Sequence, residues 1–244
     1  MKHSAQAFAF LFITFPLFVS CIFSSKPIVG NHQLVNKQIA IEDYDNIILS
    51  VPAEVLYKQY SDSAPYLQIH TDENIFNALD VRVENHQLII EAKKDSILKP
   101  SMFTIYTTSH NLNLVNVVGS GEVHLKGEVN SKDIQLQIIG SGIILSDSLI
   151  CDNTAVNITG EGNLQLTGAS NHSSFMIVGA GNIRAYDYLT QELKCTITGS
   201  GNIEAFVTNQ LDVNIMGAGN IFYKGNPPTI NNHITGAGKV APSN

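Results

Sequence analysis

Cys195-Thr196-Ile197-Thr198-Gly199-Ser200-Gly201-Asn202-Ile203 decides the fold. Cys195 and Ile197 alternate with Thr196 and Thr198, the period of a half-buried strand. A Gly-x-Gly triplet then interrupts the alternation, and Asn202-Ile203 opens a new strand. The unit recurs through the second half of the chain. Triplets open at Gly119, Gly140, Gly160, Gly179, Gly199, Gly217 and Gly236, and close at Gly121, Gly142, Gly162, Gly181, Gly201, Gly219 and Gly238. The intervals are 21, 20, 19, 20, 18 and 19 residues, a regularity that chance does not produce.

The flanks obey the same rule. Two residues before each opening glycine stand Val117, Ile138, Ile158, Ile177, Ile197, Ile215 and Ile234, all β-branched and apolar. Four before stand Val115, Leu136, Val156, Phe175, Cys195, Val213 and Asn232, and four after stand Val123, Ile144, Leu164, Ile183, Ile203, Ile221 and Val240. A single ~20-residue unit has too little apolar surface to fold alone. Stacked at the strand spacing of ~4.8 Å, identical positions form continuous apolar columns, and six intervals span roughly 29 Å. About 20 residues per coil accommodates three short strands and three bends. The triplets mark a corner where a side chain would strike the neighbouring coil or φ must be positive. A leucine-rich horseshoe has a similar period but needs leucines and a helical half, and helix signals are absent. The fold class is therefore all-β, a single-stranded parallel β-helix. Right-handed winding is expected from the handedness of strand crossovers.

Asn163, Asn182, Asn202 and Asn220 recur just after the triplets. Stacked amides at a bend pass hydrogen bonds from coil to coil and tolerate turn backbone, so this column reads as structural.

The chain has 244 residues, with 44% hydrophobic and 14% charged residues and a net charge of −7. So acidic a chain has no basic stripe to neutralise phosphates, which excludes a nucleic-acid partner. Its start is an address. Lys2 is followed by an apolar run from Phe8 to Val19, too short for a membrane-spanning helix and of the length of a secretory signal. Phe18-Val19-Ser20-Cys21 resembles the lipobox of bacterial lipoproteins, with Phe18 where Leu is usual. Residues 1–20 are thus expected to be cleaved and Cys21 to carry the lipid, several acyl chains giving firm membrane attachment. Ile22 follows the cysteine; by resemblance to proteobacterial lipoproteins this implies the outer membrane. Residues 21–37 read as a tether. Residues 38–118 read as irregular coils that continue and cap the solenoid, and residues 119–241 as the regular repeats.

Strand candidates in the irregular part are Ile39–Ile41, Ile47–Val51, Leu67–His70, Val81–Val83, Leu88–Ala92 and Met102–Thr107. Val83 to Leu88 resembles a tight reversal, and Asp72 to Leu79 is one helical turn or a loop. Here the resemblance becomes specific. Asp45-Asn46-Ile47 with its following β stretch, the Leu79–Glu91 strand pair, Gly119-Ser120-Gly121, and the units Gly199–Ile203 and Gly217–Ile221 resemble the head GIN domain family of autotransporter adhesins. That resemblance covers nearly the whole chain beyond the signal. It implies a β-helical, adhesive envelope protein and carries over no catalytic residues.

Chemistry is sparse. Asp147, Asp187, Glu204 and Glu161 fall at different offsets from their triplets, and Asp147 and Asp187 lie two coils apart, ~10 Å along the axis. Paired carboxylates for glycan cleavage are not in evidence. The residues after the triplets carry no calcium-binding carboxylate, and the eight histidines lack metal spacing. No catalytic residue, cofactor or metal is expected. Cys195 falls in an inward column, and Cys151 at another offset, which argues against a disulfide. Tyr186, Tyr188 and Tyr223 follow triplets at neighbouring offsets. Facing outward they would stack on a sugar or a protein partner; otherwise they pack along the rim. The leading expectation is a non-enzymatic envelope lipoprotein with a rigid interaction surface for a protein or glycan ligand. A polysaccharide-active enzyme, or a periplasmic structural or sensor protein, stands as the alternative.

Overall fold

The computed structural model describes residues 26–60, 64–93 and 96–243. The signal segment and Cys21 lie outside the described residues. Among the described residues strands dominate, with one short helix. In chain order these are β1 (Ile28–Val29), β2 (Leu34–Gln38), β3 (Asn46–Leu49), β4 (Glu54–Gln59), β5 (Tyr66–Asp72), α1 (Glu73–Asn77), β6 (Leu79–Glu84), β7 (Gln87–Ala92), β8 (Leu98–Lys99) and β9 (Phe103–Ser109). There follow β10 (Leu114–Gly119), β11 (Glu122–Gly140), β12 (Ile143–Gly160), β13 (Asn163–Gly179), β14 (Asn182–Gly199), β15 (Asn202–Gly217), β16 (Asn220–Lys224), β17 (Thr229–Gly236) and β18 (Lys239–Pro242).

From β10 onward every pairing is parallel, coil upon coil. Opening glycine faces opening glycine: Gly119↔Gly140, Gly140↔Gly160, Gly160↔Gly179, Gly179↔Gly199, Gly199↔Gly217 and Gly217↔Gly236. The strand ladder runs almost uninterrupted around each coil, so the bends show in burial rather than in gaps. In β11 the inward residues are Val123 and Leu125, then Val129, then Ile134, Leu136 and Ile138, with exposed residues at Gly127-Glu128 and Lys132-Asp133 between the groups. The result is a solenoid filled by columns of Ile, Leu and Val. Each fully buried Ile or Leu contributes about 2 kcal/mol of transfer free energy.

The two glycines of a triplet meet different demands. Gly199 has φ +126°, and a Cβ there would collide with the Gly179 carbonyl oxygen. Gly201 closes onto the coil beneath, where a Cβ would stand 2.6 Å from the Gly181 carbonyl oxygen and 2.8 Å from Ile177 Cγ2. Backbone bonds therefore pass straight through the corner: Ser200 N–H donates to Gly179 O at 2.8 Å and Asn202 N–H to Gly181 O at 3.1 Å.

The coils of the irregular half do not stack in chain order. β3 pairs in parallel with β7 on one side and β10 on the other, and β4 lies likewise between β9 and β11. The first coil of the chain is thus sandwiched between two later ones. Antiparallel strands then close the end. β6 forms a hairpin with β7 through Asn85 and His86, both at positive φ as a tight turn requires, while β5 pairs with β9 and β2 with β5. The outer edge strand β6 carries Asp80, Arg82 and Glu84, and Arg82 pairs with Asp80 and Glu91 at 2.8 Å each. Charges on an edge discourage pairing with another chain.

Two sequence expectations need correction, and two features were not read from the sequence. The segment read as a tether, 21–37, is not free from Ile28 onward: β1 pairs with β8 and β2 with β5. The reason is long-range pairing, reinforced by the buried Asp72 carboxylate. It accepts bonds from His32 N–H at 2.8 Å, Ser101 N–H at 2.7 Å and Ser101 Oγ–H at 2.7 Å. The strand placed at Ile39–Ile41 lies earlier, at β2, and β4 was not anticipated. Tyr188 points inward, as described below.

Candidate functional site

The solenoid offers three outward features, and each follows from which residue of the period-two pattern faces solvent. The first is the corner column. Asn182 Nδ2 donates to Asn163 Oδ1 at 3.0 Å, Asn202 to Asn182 at 3.1 Å and Asn220 to Asn202 at 3.0 Å. These amides satisfy one another. A column already bonded along its own length has little capacity left for a ligand.

The second is a flat face. Residues one before each opening glycine point outward and stand in register: Ile139↔Thr159, Thr159↔Val178, Val178↔Thr198, Thr198↔Met216 and Met216↔Thr235. Ile139 is 49% exposed, Val178 41% and Met216 49%. Met176, two positions from Val178 on the same face, is also exposed. Apolar side chains alternate with threonines along a row of roughly 24 Å at the strand spacing. Neither folding nor the ladder requires this row to be apolar. The signal lies in the sequence at that offset, outside the inward columns that define the repeat.

The third is concave. Leu56 and Lys58 of β4, Tyr60 just beyond it, Tyr66 of β5, Tyr106 of β9 and Lys126 of β11 line a cavity of about 580 Å³. Sequence reasoning missed it entirely, because its parts come from separate segments of the irregular half. Two larger, shallow grooves of about 780 and 750 Å³ flank the corner at Lys132. Their polar rims bond within themselves: Asn153 to Asp133 at 2.6 Å, Asn171 to Asp152 at 3.1 Å and Gln191 to Asn171 at 3.0 Å.

The tyrosines singled out from the sequence do not form one platform. Tyr188 is fully buried, its hydroxyl 2.7 Å from Thr154 Oγ1, and burial pushes its pKa up. Coil lengths differ around the bend, and the register shifts between Gln165 and Thr167 and between Ala185 and Leu189. An offset counted from the triplet therefore loses its inward or outward meaning beyond that bend. Tyr186 is half-buried beneath the Lys224 ammonium, 4.8 Å from the ring centroid, and Tyr223 packs against the core.

Among the described residues no cluster of His, Cys, Asp and Glu is placed to hold a metal. Cys151 and Cys195 are free, buried thiols whose pKa values burial raises, so neither is a ready nucleophile. His124 Nε2 lies 2.6 Å from Asp147 Oδ1, and Asp147 Oδ2 accepts the Gly127 N–H at 3.0 Å. That backbone bond and the histidine hold the Asp147 carboxyl below the ordinary range. No helix among the described residues is long and apolar enough to cross a membrane.

The described residues thus form a glycine-cornered parallel solenoid, closed at one end by antiparallel strands and bearing regular outward faces. Residues 43–227 match the family described as "Putative auto-transporter adhesin, head GIN domain", and the chain belongs to that family. Solved structures agree. A protein from Bacteroides fragilis described as a putative adhesin superposes with a TM-score of 0.82 at 24% identity, covering 88% of this chain and 100% of that one. One from Parabacteroides distasonis, described as a putative lipid binding protein, gives 0.74 at 30% identity over 90% and 100%. A third, a putative adhesin from Parabacteroides merdae, gives 0.71 at 26% identity over 89% and 99%. No curated protein matches the chain.

Proposed function

We propose that the protein is a non-enzymatic lipoprotein of the bacterial outer membrane, attached through an acylated Cys21, whose β-helix holds out a rigid adhesive face. The observation that carries this reading is the exposed row Ile139, Val178 and Met216, set in register on a parallel ladder. Exposed apolar side chains aligned on a fixed scaffold favour docking of a partner, and a preformed face loses little freedom on binding. Family membership agrees with adhesion. The absence of enzymes from the described solved relatives and the dispersal of the carboxylates favour binding over turnover. The lipid anchor rests on the lipobox-like Phe18-Val19-Ser20-Cys21.

The test charges the face. Cells producing Ile139→Glu/Val178→Glu/Met216→Glu are compared with wild type for adherence to abiotic, cellular and matrix surfaces, with surface amount checked by antibody. The reading predicts loss of adherence at unchanged protein level. Adherence equal to wild type would remove the face from the account.

A further inference from the structure

We propose that the protein binds a second copy of itself through the outer edge of β17, joining two rods end to end from opposed membranes. A palindrome points to the partner. Thr229-Ile230-Asn231-Asn232-His233-Ile234-Thr235 reads almost the same in both directions. Laid antiparallel on its own copy about a two-fold axis at Asn232, the strand sets Thr229 against Thr235 and Ile230 against Ile234. Asn231 then faces His233, and Asn232 faces itself. A two-fold contact must match one surface to itself, and β-branched residues directly opposite one another pair well.

The core columns lead to the same edge. β17 pairs with β15 as Ile230↔Leu211, Asn232↔Val213 and Ile234↔Ile215, and the three β15 residues are buried. Ile230 and Ile234 continue those columns yet are 39% and 37% exposed, because β17 has no strand partner on its other side among the described residues. A second copy lays its own Ile234 and Ile230 beside them and carries the core across the two-fold axis. Asn232 ends a column that otherwise holds Val115, Leu136, Val156, Phe175, Cys195 and Val213. Facing its own copy, each amide donates Nδ2–H to the other's Oδ1, a polar pair that fixes the register.

Charge singles out this edge. β6 carries Asp80, Arg82 and Glu84, and β18 begins at Lys239 and ends at Pro242, which has no N–H to give. β17 holds no Asp, Glu, Lys or Arg, so it meets its own copy without like-charge repulsion. Direction follows from the stacking order. Strands β17, β15, β14, β13, β12, β11, β10, β3, β7 and β6 lie side by side, nine spacings or roughly 43 Å. β1 lies at the far end, where it pairs with β8 and Val29 O accepts from Asn74 Nδ2 of α1 at 2.7 Å. Joining two rods at β17 therefore points their β1 ends away from each other. Copies anchored through Cys21 meet from opposed membranes rather than side by side on one.

This partner deepens the adhesive reading and rests on it for the placement outside the cell. The test reads register first. Full-length protein in non-ionic detergent is oxidised and run on a non-reducing gel. Asn232→Cys should give a linked dimer. Asn231→Cys and His233→Cys should link poorly alone and well when mixed, while wild type and Asp80→Cys, at the opposite end, should stay monomeric. Ile230→Lys/Ile234→Lys should raise the dimer dissociation constant in sedimentation by at least about tenfold, with circular dichroism unchanged. Two differently labelled populations of cells producing wild type should then form mixed clumps, and the lysine variant should leave them dispersed. Equal linking at every position, no linking, or insensitivity to the lysines would overturn the proposal. So would dispersed cells that display wild type on their surface. The two readings fail separately. A surface-exposed protein that does not link in this register overturns the self-pairing and leaves the flat face to carry adherence. A protein that links in this register but is protected from protease on intact cells overturns the adhesive reading.

Discussion

Gly199 and Gly119 occupy equivalent corners but face different neighbours. Both have positive φ, at +126° and +95°, but a Cβ on Gly119 meets nothing within 4 Å, whereas one on Gly199 would strike the Gly179 carbonyl. Gly119→Ala should therefore cost about 1 kcal/mol, the backbone penalty alone. Gly199→Ala should cost about 3 kcal/mol or more, because two coils must separate. Urea unfolding of the two variants separates these contributions, and equal losses would contradict the stacking argument. In the amide column, Asn202→Ala removes both its donation to Asn182 and its acceptance from Asn220. A loss of about 1 kcal/mol is expected by the same measurement. Asp72 makes stability depend on acid. Burial opposes its charge, but the bonds from Ser101 and His32 prevail and hold its pKa below the ordinary value. The sign follows: its contribution is complete above the unfolded pKa of about 4 and is lost as pH falls through the lowered folded value. Asp72→Asn should be about 2–3 kcal/mol less stable at neutral pH, and the gap to wild type should close on acidification. A gap that widens toward low pH would contradict the assignment.

Elements differed in how much of them could be read from the chain. The inward columns were plain because each coil repeats them, and the repeat itself supplies the register: Ile158, Ile177, Ile197 and Ile215 need no knowledge of distant partners. The reversal at Asn85-His86 was legible because turn chemistry is local, while Asp72 to Leu79 stayed open between a loop and the helical turn that α1 forms. β4 was not, since Glu54-Val55-Leu56-Tyr57-Lys58-Gln59 sits between β9 and β11, strands that arrive much later in the chain. β1 and β2 looked like linker for the same reason, their partners lying in β8 and β5. The site was the least legible part. Tyr60, Tyr66 and Tyr106 meet only because the coils stack out of chain order, whereas Tyr188, left open between an outward face and the rim, lies inside because unequal coil lengths shift the count. An element-scale consequence concerns the buried hydroxyls. Tyr57 has its hydroxyl 3.0 Å from Ser109 Oγ, and burial pushes its pKa up to about 12. Tyr57→Phe leaves Ser109 without this partner, although Ser109 still donates to Asn111 O. A loss of about 1 kcal/mol is expected from thermal melting.

At the scale of the molecule, the solenoid converts a short repeated unit into a stiff rod whose outward rows are fixed by the same ladder that fills its core. Binding faces come at little cost in such an object, because side chains that point out are already aligned. The apolar and threonine row lies on the regular coils, and the tyrosine-lined cavity where the irregular coils meet the first regular one. All of this has adhesive meaning only if the rod stands outside the cell. The decisive measurement is palmitate labelling of the native protein beside Cys21→Ser, followed by protease shaving of intact cells. The account predicts that wild type is labelled and shaved while Cys21→Ser is not labelled. A labelled protein protected from protease would contradict the adhesive reading and leave an anchored periplasmic scaffold, and an unlabelled wild type would remove the anchor itself.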